Sequence, residues 1–146
     1  MRVVLLEDDD RRVAAMRERL ADRFPQFELV VTDNAKDCIA AIADSFDRIL
    51  LVSLDHDLVL LPSKNGGSID PGTGREVADD LAGRTPSFPV IVHTSNSIAG
   101  DGMEFRLVEG GWPVERVAPY GDLDWIDEVW FKAARRLLVA APVYSK

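Results

Sequence analysis

In the stretch Ile49-Leu50-Leu51-Val52-Ser53-Leu54-Asp55-His56-Asp57, a short apolar run ends directly in an acid–histidine–acid cluster. Two other apolar runs end in the same way: Val3-Val4-Leu5-Leu6 precedes Glu7-Asp8-Asp9-Asp10, and Val90-Ile91-Val92 precedes His93-Thr94-Ser95-Asn96. Short, continuous runs of this kind are typical of strands buried on both faces of a parallel sheet. Ligands bind outside the carboxyl ends of such strands, so we expect the three polar clusters at one sheet edge.

Strand and helix patterns alternate along the whole chain. We predict strands over 2–6, 27–31, 48–54, 89–93 and 115–118. The intervening helices are capped by Asp9 or Asp10, by Asp33 or Asn34, and by Thr94, Ser95 or Asn96, and the last one spans 125–139. Five βα units predict an α/β fold with a doubly wound, five-stranded parallel sheet. We expect a single domain over 1–146, with a loosely held tail from 140 and a long glycine-rich loop over 58–71 that is either a mobile lid or a surface connection.

Composition limits the function classes. The 146 residues are 47% hydrophobic, which suffices for one domain with its own core. The net charge of −8 argues against binding duplex DNA through phosphate neutralisation. We expect no membrane span and no signal peptide, because no apolar window is long enough and the first strand starts at residue 2. The single cysteine, Cys38, excludes an internal disulfide and favours a cytoplasmic location.

The acidic residues at the strand ends predict a metal site. Glu7, Asp8 and Asp55 offer hard oxygen ligands, which suit Mg²⁺ or Mn²⁺ with phosphate oxygens completing the coordination sphere. Asp57 either adds a fourth carboxylate or orients His56 through a hydrogen bond. Clustered carboxylates repel one another unless a cation joins them, which supports the same prediction.

Both histidines of the chain, His56 and His93, fall in the strand-end clusters. Imidazoles titrate near neutral pH, so two of them beside a metal-bound phosphate could serve as general acid and base. Alternatively they bind a softer metal such as Mn²⁺ or Zn²⁺ directly. Strand alternation complicates either role, because regular strands would point His56 away from Asp55 and His93 away from Thr94.

These residues resemble the receiver domain of bacterial response regulators over nearly the whole chain. Leu5-Leu6-Glu7-Asp8-Asp9 is similar to the first receiver strand with its metal-binding acidic pair, Glu7 and Asp8. Leu54-Asp55 is similar to the third strand end, which places Asp55 at the phosphoacceptor position. Pro89–Ser95 is similar to the fourth strand, with Thr94 at the hydroxyl position. The resemblance implies a flavodoxin-like sheet with strand order 2-1-3-4-5.

The chain also departs from ordinary receivers. Receivers carry a Lys-Pro pair after strand five, where this chain has Ala118-Pro119, so the lysine that contacts the phosphoryl group is missing. The residues after the phosphoacceptor are normally apolar, yet here they are His56 and Asp57. With His93 on strand four, these departures resemble the cyclic-phosphate-processing receiver-like domains.

We therefore favour a metal-dependent phosphoesterase that acts on a cyclic phosphate, either a small nucleotide or an RNA terminus. Glu7, Asp8 and Asp55 would bind Mg²⁺ or Mn²⁺. The catalytic residues would be His56 and His93 as acid and base, Asp57 in support, and Thr94 as a hydrogen-bond donor to phosphate. One alternative is a non-enzymatic receiver, phosphorylated on Asp55 or locked in one state, that signals through a protein partner. A phosphate-free interaction module is the other alternative.

Overall fold

The central sheet confirms the predicted fold class and strand order. In the computed structural model, which describes residues 1–142, five parallel strands pair in the order 2-1-3-4-5. These strands are β1 (Arg2–Leu6), β2 (Glu28–Thr32), β3 (Ile49–Leu54), β4 (Val90–His93) and β5 (Val114–Val117). That all of 1–146 belongs to one domain stays a prediction, and most of the tail from 140 lies outside the described residues.

The two faces of the sheet carry separate apolar layers because successive side chains of a strand point to opposite sides. Val4, Leu6, Val52 and Leu54 face one side and pack against α2 (Ala35–Asp44), α3 (Gly74–Ala82) and α4 (Ser97–Glu109). Leu5 and Leu51 face the other side, against α1 (Asp10–Arg23) and α5 (Phe131–Val139). All strand residues of β3 are buried, as the continuous apolar run predicts.

The helix starts resolve the alternatives that the sequence left open. Asp9 caps α1 by accepting hydrogen bonds from the N–H groups of Arg11 and Arg12. Asn34 caps α2, and Asn96 caps α4 by accepting from the N–H of Ala99 at 3.1 Å. Within residues 1–142, no helix has the length and apolar character needed to cross a membrane.

The long loop over 58–71 contains a small antiparallel hairpin, which the sequence did not predict. Leu61–Pro62 pairs with Ser68–Ile69, and the turn between them includes Gly66 with a φ of 81°. Asn65-Gly66 is a hairpin turn signal, but strands of two residues are too short to show alternation. Before the hairpin, the Val59 N–H donates to the Asp8 carboxylate, so this segment is fastened to the acidic cluster.

The last helix starts with a π turn over Ile126–Trp130, before the α-helical hydrogen bonding of α5. Residues five apart differ by about 140° around a regular α-helix, so Trp125 and Trp130 would not share a face there. The wider turn places both side chains against the sheet, where both are fully buried. π turns of this kind are frequent at functional sites. Here the turn places the Trp125 ring against His93 and the Trp130 N–H against Ser53.

Candidate functional site

Three carboxylates converge at the carboxyl ends of β1 and β3. The two strands are neighbours in register, with Leu6 opposite Leu54, so the residues that follow them lie side by side. One oxygen each from Glu7, Asp8 and Asp55 lie within 4.8 Å of one another. The structure thus brings together the three residues that the sequence predicted as metal ligands.

Glu7 is held in place by donors on both of its carboxylate oxygens. Its Oε2 accepts from the N–H groups of Asp8 at 2.9 Å and Asp9 at 3.1 Å. Its Oε1 lies 3.4 Å from Arg12 Nη1 and 3.3 Å from His93 Nε2. Burial would raise the pKa of Glu7, but His93, the Asp9 N–H and Arg12 together outweigh burial and lower the pKa to about 2. Glu7 is therefore a fixed negative charge beneath the site.

Asp55 and Asp8 show the opposite electrostatic behaviour. Burial, reinforced by the charge of Glu7, raises the pKa of Asp55 to about 6, although His93, the His56 N–H and Arg12 act against the shift. Burial likewise raises the pKa of Asp8, although the Val59 N–H opposes it. Holding all three carboxylates ionised in the folded protein thus costs free energy, which a further cation would offset. A cluster of hard oxygen donors with this excess of negative charge fits Mg²⁺ or Mn²⁺.

His93 lies one layer beneath the carboxylates and has no exposed surface. The Trp130 indole N–H donates to Ser53 Oγ at 3.0 Å, and Ser53 Oγ lies 2.7 Å from His93 Nδ1. If the Ser53 hydroxyl donates to Nδ1, the ring hydrogen sits on Nε2, facing Glu7. Nε2 lacks a hydrogen bond of good geometry despite the 3.3 Å approach.

His93 lies deeper in the structure than the acid–base role predicted for it suggests. We expected His93 to act on substrate as an acid or base, but a fully buried ring with Glu7 above it has no surface for a substrate atom. The cause is strand alternation: His93 follows Ile91 onto the α1–α5 side of the sheet, as Ser53 follows Leu51. The contact that the structure gives His93 at this edge is with Glu7, and its predicted catalytic role stays a prediction.

His56 and Asp57 form a second polar pair at the same sheet edge. His56 Nδ1 lies 2.9 Å from Asp57 Oδ1, and the Asn96 amide donates to Asp57 Oδ2 at 3.3 Å. The hydrogen bond with His56 lowers the pKa of Asp57. The His56 side chain is 17% exposed, and its N–H donates to Asp55 Oδ1 at 2.7 Å. Asp57 is therefore hydrogen-bonded to His56, which suits one of the two roles predicted for it, and it is not one of the three clustered carboxylates.

Thr94 is buried at the end of β4, and its Oγ1 accepts the N–H of Asn96 at 3.1 Å. The described contacts join Thr94 to the start of α4 and not to the carboxylates. Ala118, at the position of the receiver lysine, is exposed just after β5.

The sequence patterns did not indicate that Arg12, Ser53 and Trp125 lie at this site. The Arg12 guanidinium lies 5.2 Å from the centre of the Trp125 ring, which itself stacks on His93 with centroids 6.0 Å apart. A signal for Arg12 was available, because Arg12 lies one helical turn before the buried Met16 and so shares its face. Nothing in the sequence distinguishes Ser53 from any other strand serine.

Two glycines after the hairpin, Gly72 and Gly74, allow close backbone contacts beside the site. The Gly74 N–H donates to the His56 carbonyl at 3.1 Å, and a Cβ on Gly74 would overlap the Asp55 carbonyl oxygen and lie 2.8 Å from Met103 Cε. Gly72 has a φ of 73°, a conformation that favours glycine. These glycines allow α3 to approach the end of β3 closely, which explains their presence without a phosphate ligand.

Substituting Gly74 by alanine should lower the free energy of unfolding by about 2 kcal/mol or more, because overpacking against backbone cannot be relieved by a rotamer change. Urea denaturation of Gly74→Ala measures this effect. Gly67→Ala is the matched control, since a Cβ there meets nothing within 4 Å. Equal stability of the two variants would show that the close approach of α3 is not required.

Comparison with known proteins agrees with this geometry. The sheet order and the acidic strand ends are those of the receiver fold, and solved receiver structures match over almost the whole chain. The phosphorylated cyanobacterial phytochrome response regulator RcpA matches with a TM-score of 0.71 at 18% identity, covering 95% of this chain and 94% of that chain. The response regulator domain of Thermotoga maritima CheB matches with a TM-score of 0.64 at 14% identity, covering 97% and 98%. The Mn²⁺-bound response regulator Rcp1 matches with a TM-score of 0.61 at 18% identity, covering 95% and 92%.

Residues 3–109 match the family model described as the cyclic-phosphate processing receiver domain, and the chain belongs to this family. The resemblance seen in the sequence is thereby confirmed. A search of the curated proteins gave no match.

Proposed function

We propose that this protein is a metal-dependent phosphoesterase that opens a cyclic phosphate, either of a nucleotide or at an RNA end. The observation that carries the proposal is the oriented His56–Asp57 pair directly beside the carboxylate cluster. An acid–base group and a metal site at one sheet edge are what hydrolysis of a phosphate ester requires. The description of the family model points to the same chemistry.

Asp8 and Asp55 are the principal metal ligands in this proposal. Both oxygens of Glu7 already have partners: Oε2 accepts two backbone hydrogen bonds, and Oε1 faces Arg12 and His93. Glu7 therefore adds negative charge to the site and supplies no more than one ligand oxygen. A divalent cation held there would neutralise charge on the phosphate and polarise its oxygens. His93, through its contact with Glu7, fixes the position of that carboxylate.

His56 performs the proton transfer. With the Nδ1 hydrogen donated to Asp57, the neutral ring carries its lone pair on Nε2, which can accept a proton from the attacking water. The water oxygen bonds to phosphorus, one ring P–O bond breaks, and the leaving oxygen takes up the proton that the His56 imidazolium carries, giving a phosphomonoester, a free hydroxyl and the neutral imidazole again. Asp57 stabilises the imidazolium formed in between.

One experiment with two readouts tests this function. Purified protein with Mg²⁺ or Mn²⁺ should hydrolyse 2′,3′-cyclic nucleotides, and EDTA should stop the reaction. The same protein treated with acetyl phosphate should show no lasting mass increase, because Ala118 cannot supply the lysine ammonium that contacts the phosphoryl group in receivers. Absence of turnover together with stable phosphorylation of Asp55 would favour the second candidate, a signalling receiver, which the receiver fold and Asp55 at the end of β3 also suit.

A further inference from the structure

We propose that Arg12 is the residue that binds the substrate phosphate, supplying from α1 the positive charge that receivers supply by lysine after the last strand. The inference rests on the proposed function and extends it to a residue in none of the motifs that define the site. Arg12 Nη1 lies 3.9 Å from Asp55 Oδ2 and 3.4 Å from Glu7 Oε1. Among the ion pairs of residues 1–142, it is the only arginine or lysine paired with either carboxylate.

The charge at the site favours such a residue. Three carboxylates and one divalent cation leave a net charge of about −1, which would repel the anionic phosphate of a cyclic ester. One guanidinium cancels this excess. Ala118 contributes no charge at the lysine position, so a cation must reach the site from another element, and Arg12 is already there.

The geometry leaves Arg12 able to bind an anion. Both carboxylate contacts run through Nη1, whereas a guanidinium has five N–H donors in a planar fork that matches phosphate oxygens. The side chain is 25% exposed, so it borders both the buried cluster and solvent. Trp125 lies under the guanidinium at 5.2 Å and restricts its orientation, which lowers the entropy lost when a ligand is bound.

The position also predicts competition between Arg12 and the metal. Both cations are attracted by Glu7 and Asp55, so a metal bound at these carboxylates weakens the attraction for Arg12. The guanidinium then gains freedom to pair with a phosphate oxygen on the metal. Removing the Arg12 charge should thus weaken phosphate binding without weakening metal binding.

Isothermal titration of Mg²⁺ into metal-free protein, and of inorganic phosphate into Mg²⁺-saturated protein, separates the two effects. Arg12→Gln should weaken phosphate binding about 10- to 100-fold, the range for losing one charge-assisted hydrogen-bonding group. Its affinity for Mg²⁺ should equal or exceed that of wild type. Arg12→Lys, which keeps the charge but not the fork, should weaken phosphate binding by less.

Arg11→Gln is the matched control, because Arg11 is the neighbouring residue of α1 and pairs with Asp122 at the surface. It should bind Mg²⁺ and phosphate as wild type does. Phosphate affinity of Arg12→Gln within about twofold of wild type would overturn the proposal, as would a parallel loss of Mg²⁺ binding. Phosphate binding through Arg12 without cyclic-ester hydrolysis would disprove the enzyme and keep the anion site. Wild-type protein that binds neither Mg²⁺ nor phosphate would overturn both.

Discussion

Asp55→Asn should make the metal-free protein more stable at pH 7 while abolishing its stabilisation by Mg²⁺ or Mn²⁺. Burial raises the pKa of Asp55 from 3.8 to about 6, so ionising it at neutral pH costs folding free energy. A shift of this size corresponds to about 3 kcal/mol, which the neutral amide would recover in part or in full. The amide oxygen can still accept the His56 N–H, so the local hydrogen bond need not be lost.

The gain in stability expected for Asp55→Asn depends on pH. A carboxyl whose pKa is raised in the folded state causes no loss of stability below about pH 4, where it is protonated in both states. The loss grows as pH rises and is complete above about pH 6. Glu7 acts in the other direction: its lowered pKa contributes stability above about pH 4.5 that is lost as pH falls towards 2. Of Asp55 and Glu7, only Asp55 therefore changes its charge in the folded protein between pH 5 and 7, and only Asp55 alters the free energy of unfolding in this range.

Urea denaturation at pH 5 and pH 7, with EDTA or with excess Mn²⁺, tests the prediction. Wild type should gain about 2.7 kcal/mol at a metal concentration a hundredfold above its dissociation constant, and Asp55→Asn should gain nothing. Asp57→Asn is the control on the same loop, because its pKa is lowered and it lies outside the cluster. It should retain metal stabilisation without becoming more stable than wild type in EDTA. Equal metal stabilisation of wild type and Asp55→Asn would refute the site.

His56→Ala should reduce cyclic-phosphate hydrolysis by on the order of 10²–10⁴ while metal binding is kept, the usual range for losing a general acid–base group. Metal binding should survive because the three carboxylates remain and His56 contacts Asp55 through its backbone N–H alone. Steady-state kinetics with parallel metal titration measure both quantities. Asp57→Asn should have a smaller effect on rate and shift the pH profile, since Asp57 acts only by orienting and stabilising the imidazole.

His93→Ala provides the contrast. His93 is fully buried against Glu7, Ser53 and Trp125, so its loss removes a support of Glu7 and leaves a cavity. We expect lower stability and weaker metal binding together. A His93 variant that keeps stability and metal affinity but loses turnover would show that this imidazole acts on the substrate after all. A His56 variant with wild-type turnover would remove the acid–base role from the proposed function.

The fold class and the candidate metal ligands could be predicted from the amino-acid sequence. Continuous apolar runs specify strands buried on both faces, and parallel strands present their carboxyl ends at one edge of the sheet. The strand order that makes β1 and β3 neighbours, and so brings Glu7, Asp8 and Asp55 together, was implied by the resemblance to receiver domains. For each of three helices, the sequence left two or three candidates for the N-cap residue, because capping depends on residue type and on position relative to the first turn. These features depend on local pattern and on a general rule of sheet construction.

Which side chains surround the carboxylates could be seen only once the elements were packed together. The alternation of side chains along a strand predicts that His93 and Thr94 point to opposite sides of the sheet. It does not predict which of these two side chains lies near the carboxylates, because that depends on the register between neighbouring strands. The π turn that buries Trp125 and Trp130 and the approach of α3 at Gly74 depend on packing between distant elements. Arg12 shows both contributions: the apolar face of α1 places Arg12, and not Arg11, towards the sheet, but only the packing of α1 against the sheet brings its guanidinium to the carboxylates.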